Sequence, residues 1–268
     1  MALTAVNICN LSLGRIGATS ITYITDTTPE GVACNLHYDP TRDALLRKAT
    51  WRFASKWVEL VRDEATDDGT STNDTNTSLK LYDTDQAWVV NAYADYYLWI
   101  TGGTGADQIR IIESNTATVL TVTEAFATTP DATSTYEIWE NAPPYPWNYQ
   151  YALPSDFIRF AKTYPEHELF EIDGAMLKSD EAAVRINYVF QETNPANFDE
   201  LFVETLVADL AAKLCMVLLR DKVWTRDLQE EAERSLQRAK LVNTVEVKAE
   251  PTEQTWSDAR RGWTPDGS

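Results

Sequence analysis

Histidine and cysteine, the side chains that most often carry metal and nucleophile chemistry, are nearly missing: 268 residues hold two and three of them. Cys9, Cys34 and Cys215 are far apart, odd in number and form no C-x-x-C pair, so neither a disulfide framework nor a zinc ribbon is signalled. They read as small buried apolar residues in a reducing compartment. His37 and His167 have no cysteine at ligand spacing, and neither is read as a metal ligand. Catalytic signatures are missing too: there is no G-x-S-x-G, H-E-x-x-H or G-x-x-x-x-G-K-[ST]. Glu166 and Glu168 beside His167 are the least implausible acid cluster, and in a chain so rich in carboxylates chance accounts for them. These absences point away from an enzyme and imply no cofactor and no metal.

A long apolar run is also lacking. "LVADLAAKLCMVLL" is broken by Asp209 and Lys213, so it is not a membrane span. "MALTAVNICNLSLG" lacks the basic flank and unbroken apolar run of a signal peptide, and none is read there. Positive charge is short: 23 Lys and Arg stand against 41 Asp and Glu, a formal −18. That field repels phosphate backbones and anionic lipid, which excludes tight sequence-independent DNA binding. It is compatible with a passive surface past which DNA moves.

What is present is apolar and aromatic. A 44% hydrophobic content with nine tryptophans belongs to a folded chain. Composition changes near residue 64, where "DEATDDGTSTNDTNTS" is polar and turn-rich. Strand-like runs follow ("DYYLWIT", "QIRIIES", "ATVLTVTEAF", "STYEIWE"), parted by "GGTGAD" and "TTPDAT". Residues 64–141 are therefore expected to form an inserted antiparallel β-module, with "NAPPYPWNY" as a proline-set exit. "GGTGADQ" has no helix after it to hold a phosphate and reads as a hairpin turn. Alternation of Tyr96, Leu98 and Ile100 against Tyr97 and Trp99 implies one core face and one partly outside. With Trp88 and Tyr93 these aromatics are read as packing, with a sugar platform as the rival.

Helices are expected on either side. Thr4 caps a first helix with Val6, Cys9, Leu13 and Ile16 on its apolar face, ending at Gly17. Thr28 caps a second with Pro29 at its first position, and Pro40 should kink or restart it, with Asp39 as the new cap. Residues 151–190 are mixed and include the strand-like "AAVRINYVF". From Phe198 to Leu218 the chain is apolar nearly all round, as the middle helix of a bundle is. Residues 223–244 carry one narrow stripe (Leu228, Ala232, Ser235, Ala239, Val242) and a wide polar face. The expected fold is α+β: a helical bundle core from residues 1–63 and 142–244, the 64–141 insert, and an extended C-terminal tail, 245–268. In "TWSDARRGWTP" of that tail, Trp256 and Trp263 bracket Arg260 and Arg261 with no helical or strand period; aromatics and arginine are favoured interface anchors. The tail is expected to be disordered alone and ordered by a partner.

One ordered set of residues has a family character. Asn7, Ile16 and Gly17, Asp26, then Tyr38, Pro40, Arg42 and Asp43, Leu45 and Leu46 lead into Trp51, Phe53 and Ala54, and Leu153, Pro154 and Asp156 follow later. Across residues 3–60 and 145–245 this resembles the head-to-tail adaptor family of short-tailed bacteriophages, also called tail tubular protein A. The 64–141 segment, with "GTGADQIRII", "NTATVLTV" and "PDATSTYEI", resembles a decorating insert of phage structural proteins. The resemblance implies a virion protein of the tail neck, assembled in the host cytoplasm as a homo-oligomeric ring, typically of twelve. Such a ring joins the portal vertex to the tail and extends the channel through which DNA passes without specific binding. Its partners would be the portal protein and the next tail component, a nozzle or tail tubular protein B-like protein. Trp256, Arg260, Arg261 and Trp263 become the expected portal-binding residues. A tail-associated cell-wall hydrolase and a host-glycan-binding tail protein are the alternatives. Within "WRFA" the aromatics are expected to pin the second helix to the bundle, while Arg47, Lys48 and Arg52 offset neighbouring acids.

Overall fold

Thr4 starts the first helix, α1 (Ala5–Arg15), by a reciprocal cap: its hydroxyl accepts from the Asn7 amide, and the Asn7 carboxamide oxygen accepts from the Thr4 amide at 3.0 Å. The helix stops where Gly17 takes a φ of 67°, and the Ala18 amide reaches back to the Leu13 carbonyl at 3.0 Å. Thr28 likewise caps α2 (Pro29–Lys48), with Pro29 at the first position. The computed structural model describes residues 2–72, 76–164 and 169–245.

Strands follow: β1 (Ser55–Glu59), β2 (Arg62–Asp63), β3 (Asp67–Thr70), β4 (Lys80–Tyr82), β5 (Tyr97–Gly102), β6 (Ile109–Asn115), β7 (Val119–Val122) and β8 (Thr135–Trp139). After them come β9 (Tyr149–Ala152), β10 (Phe157–Tyr164), β11 (Phe170–Asp173), β12 (Met176–Ser179) and β13 (Arg185–Phe190), then α3 (Glu200–Leu218) and α4 (Lys222–Val245). The sheets are antiparallel, with orders β1-β13-β10, β11-β12-β9-β2 and β3-β8-β5-β6-β7-β4.

The chain divides into two units: the described residues of Met1–Trp57, Asp156–Ala161 and Asn187–Ser268, and those of Val58–Ser155 and Lys162–Ile186. In the first, α3 is the middle helix. Phe202, Leu206, Leu210, Ala211 and Leu214 are fully buried among residues of α1 and α2, and Leu228, Leu236 and Ala239 of α4 close another side. In the second, the six-stranded sheet has a core of its own: Leu81, Leu98, Ile100, Ile112, Leu120 and Ile138 are fully buried, and Tyr93 and Tyr96 pack against them. Leu98 and Ile100 point into that core while Tyr97 and Trp99 are half-buried, the alternation a pleated strand imposes. The GGTGAD segment links paired β5 and β6 as a hairpin turn.

A helical bundle core, the architecture expected from the sequence, is not what the chain adopts. Among the described residues there are four α-helices against thirteen strands in three sheets, so the fold is mostly β. The overturned part is 55–63 and 142–190, assigned to that core, where "AAVRINYVF" alone was expected as a strand. "FIRFAKTY" and "RINYVF" are too short for a helix and rich in aromatic and β-branched residues, and such runs settle as strands once neighbours supply ladder partners. Asp173-Gly174 marks one hairpin: Gly174 has a φ of 58°, and Asp173 pairs with Met176 across the turn.

Pro40 does not restart α2; the helix continues to Lys48. Pro40 and Leu36 both lie on the exposed face, where the carbonyl that loses its amide partner meets solvent. The Thr41 hydroxyl donates to the His37 carbonyl at 2.5 Å. Asp39, instead of capping a new helix, accepts from Arg42 at 2.6 Å.

Candidate interaction surface

The "WRFA" aromatics do belong to the core. Trp51 is fully buried, donates its indole N–H to the Leu45 carbonyl at 3.0 Å and meets Phe202 edge-on at 4.9 Å; Phe53 lies 5.0 Å from Phe202 and 5.8 Å from Phe198. The basic residues divide. Lys48 pairs with Asp209 at 3.4 Å, whereas Arg47 donates to the Ile158 carbonyl, not to an acid.

Asp156, from the Leu-Pro-x-Asp run, is the hub of a second polar cluster. Lys56 Nζ lies 2.7 Å from one of its oxygens, and the Tyr188 hydroxyl donates to the other at 2.7 Å. The same ammonium sits 4.5 Å above the Phe190 ring. Gln191 donates its amide N–H to the Asp156 carbonyl and its side chain to Asp43, whose other oxygen takes Arg42. Burial alone would raise the Asp156 carboxyl; the hydrogen bonds from Lys56 and Tyr188 outweigh it and hold the group below the ordinary carboxylate value. These contacts fasten α2, β1 and β13 to the turn that leads into β10.

In the second unit two carboxylates are held the same way. Asp67 accepts from the Trp88 indole at 2.8 Å and the Tyr93 hydroxyl at 2.9 Å, and Asp83 accepts from Tyr136 at 2.6 Å. Burial, then the bond to Asp67, pushes the Tyr93 hydroxyl up to about 12, so it stays a donor. Trp88 is buried and Tyr93 half-buried at this core, which places both in packing.

The open feature of the first unit runs along α3 between α2 and α4. Three adjoining depressions, about 430, 310 and 770 Å³, share Gln229, Lys48, Glu233 and Leu236 as common walls. Their apolar floor includes Met216 and Val217, 44% and 47% exposed. Six cations line them (Lys48, Lys213, Lys222, Arg226, Arg234, Arg238) against three carboxylates (Asp209, Glu230, Glu233), in a chain of formal charge −18. Lys48 and Arg226 have acidic partners, and Arg234 pairs with Glu230. Lys213 donates to the neutral Thr41 hydroxyl, and among the described residues no carboxylate pairs with Lys222 or Arg238. Leu219, Val223 and Trp224 are exposed where α3 turns into α4.

His37 lines this trough, and among the described residues no group of His, Cys, Asp and Glu is placed to hold a metal. The three cysteines are buried. Trp256, Arg260, Arg261 and Trp263 lie outside the described residues, as do Glu166, His167 and Glu168. Sequence reasoning identified the wide polar face of α4 but not the trough. The signal was available in the spacing of Lys222, Arg226 and Gln229, one face of a helix in an otherwise acidic chain. No family model matches the chain, and no curated protein matches it.

Proposed function

We propose that the chain is a structural adaptor of a short-tailed phage virion: a ring in the tail neck, between the portal vertex and the next tail component, that lengthens the DNA channel and catalyses nothing. The observation that carries this reading is that the adaptor-like residues other than Leu153 and Pro154 fall in one unit. Arg42, Asp43, Trp51, Phe53 and Asp156, separated by up to 114 positions (156 − 42), meet through Phe198, Phe202, Gln191 and Lys56. Charge supports it as well. Twelve copies carry −216 formal charges (12 × −18), and a wall of that sign gives DNA phosphates no stable partner. Trp256, Arg260, Arg261 and Trp263 are assigned to the portal contact as aromatic and arginine anchors. Mass photometry of the purified chain, alone and mixed with portal rings, tests this. A discrete ring on the portal is expected; a chain that never joins the portal sinks the reading.

A further inference from the structure

We infer that the trough along α3 is the socket for a second copy of this chain, receiving an acid-rich, apolar-bearing segment of its neighbour; the inference rests on the ring reading above. The trough spans about 24 Å of α4 from Lys222 to Arg238 at 1.5 Å per residue, long enough for several helical turns or an extended segment. Its apolar floor is exposed at Met216 and Val217, and contiguous exposed apolar surface rimmed by polar groups marks an interaction site. Its cations exceed its carboxylates, and Lys222 and Arg238 are left without an acidic partner among the described residues. The occupant must therefore be acidic and partly apolar. A second copy meets that requirement, since this chain bears 41 carboxylates against 23 cations and exposes Leu169, Ile172, Leu241 and Val242. Nucleic acid fits less well: Asp209, Glu230 and Glu233 interrupt the cationic line, and the apolar floor offers a phosphate backbone nothing.

A basic trough cannot mate with itself across a twofold axis. The acidic surface it needs lies elsewhere on the neighbour, so the contact is head-to-tail, the type that closes into rings. Lys222 and Arg238 are exposed, which makes Lys222→Glu with Arg238→Glu a test that costs little packing. Sedimentation velocity of the full chain over a range of concentrations should show self-association for the wild type. The double reversal should weaken it on the order of a hundredfold, because like charges brought together across an interface cost several kcal/mol. Circular dichroism melts confirm that both chains fold, and Lys222→Gln with Arg238→Gln serves if the reversal does not. Acylation of surface amines supplies the location: Lys213 and Lys222 should be protected in the oligomer fraction relative to the monomer. A chain that stays monomeric at every concentration overturns the inference while leaving portal binding to be judged by the mixing experiment. So does an oligomer that tolerates the double reversal with both lysines still reactive. Protection of the same lysines by a short DNA duplex instead of by a second copy assigns the trough to nucleic acid and overturns it as well.

Discussion

At the scale of single residues, the fold is held by a few side chains with several duties each. Phe202 touches Trp51, Phe53 and Phe198 at once and is fully buried. Phe202→Ala should cost about 3–5 kcal/mol, the range for truncating a buried aromatic. Urea denaturation followed by tryptophan fluorescence gives the value; a loss under 1 kcal/mol (roughly the cost of a surface change) would mean the knot is slack. Gly69 is set by closeness: a Cβ there would lie 2.5 Å from the Tyr136 hydroxyl and 2.8 Å from Asp83 Oδ2. Gly69→Ala should therefore break the Tyr136–Asp83 bond and lower the melting temperature of the second unit. Asp156 supplies a pH dependence. Its carboxyl is depressed in the folded protein, so it contributes stability above the unfolded value of about 4, and that contribution fades as pH falls through the lower folded value. Wild type should exceed Asp156→Asn at neutral pH by about 1 kcal/mol or less, because both partners are partly exposed, and the gap should close in acid. A gap equal at both pH values would remove Asp156 from the account.

Among the elements, what the sequence disclosed depended on how local the cause was. Caps were legible: Thr4 and Thr28 begin their helices because the capping oxygen sits three residues from its amide partner. So was α3, whose all-round apolar character is written in a single segment. Apart from the strand-like run at β13, the sheets of 55–63 and 142–190 were not, because the strands are short and several ladder partners are far away: Arg62 pairs with Tyr151, and Met176 with Ala152. The restart at Pro40 was misjudged for a related reason. Its cost depends on whether the freed carbonyl is buried or wet, and only the packed helix decides that. The trough escaped notice because Lys213 and Lys222 come from different helices and meet only in three dimensions. For the six-stranded sheet the structure also supplies a surgical test. Asn141 lies within 3.3 Å of Asp63, so the two ends of the 64–141 segment are close and a short Gly-Ser link spans them. The shortened chain should stay soluble and keep one cooperative melt with the helical circular-dichroism signal, since the helices bury their apolar face in a core of their own. Loss of cooperativity would show that the sheet is needed for that core.

On the scale of the whole molecule, the ring proposed above has two contacts to keep apart: copy to copy, and ring to portal. The trough is assigned to the first, and the C-terminal residues beyond Val245 to the second. The assignment follows from chemistry. The trough offers cations to an acidic neighbour, while "TWSDARRGWTP" offers two indoles and two guanidinium groups, side chains that lose little entropy per contact and dominate interface energetics. The two losses should then be separable. Truncation after Val245 removes Trp256, Arg260, Arg261 and Trp263 and keeps every core residue among the described residues. The shortened chain is expected to melt as the full chain does and to self-associate as before, yet to lose portal binding by at least about a hundredfold, since anchors of this kind contribute 2 kcal/mol or more each. The double reversal in the trough should do the converse, weakening the ring while single subunits still engage the portal. Melting curves, sedimentation and portal co-sedimentation on the same two variants decide it. Normal portal binding by the truncated chain, or a steep fall in its melting temperature, would return the C-terminal tryptophans to the protein's own packing.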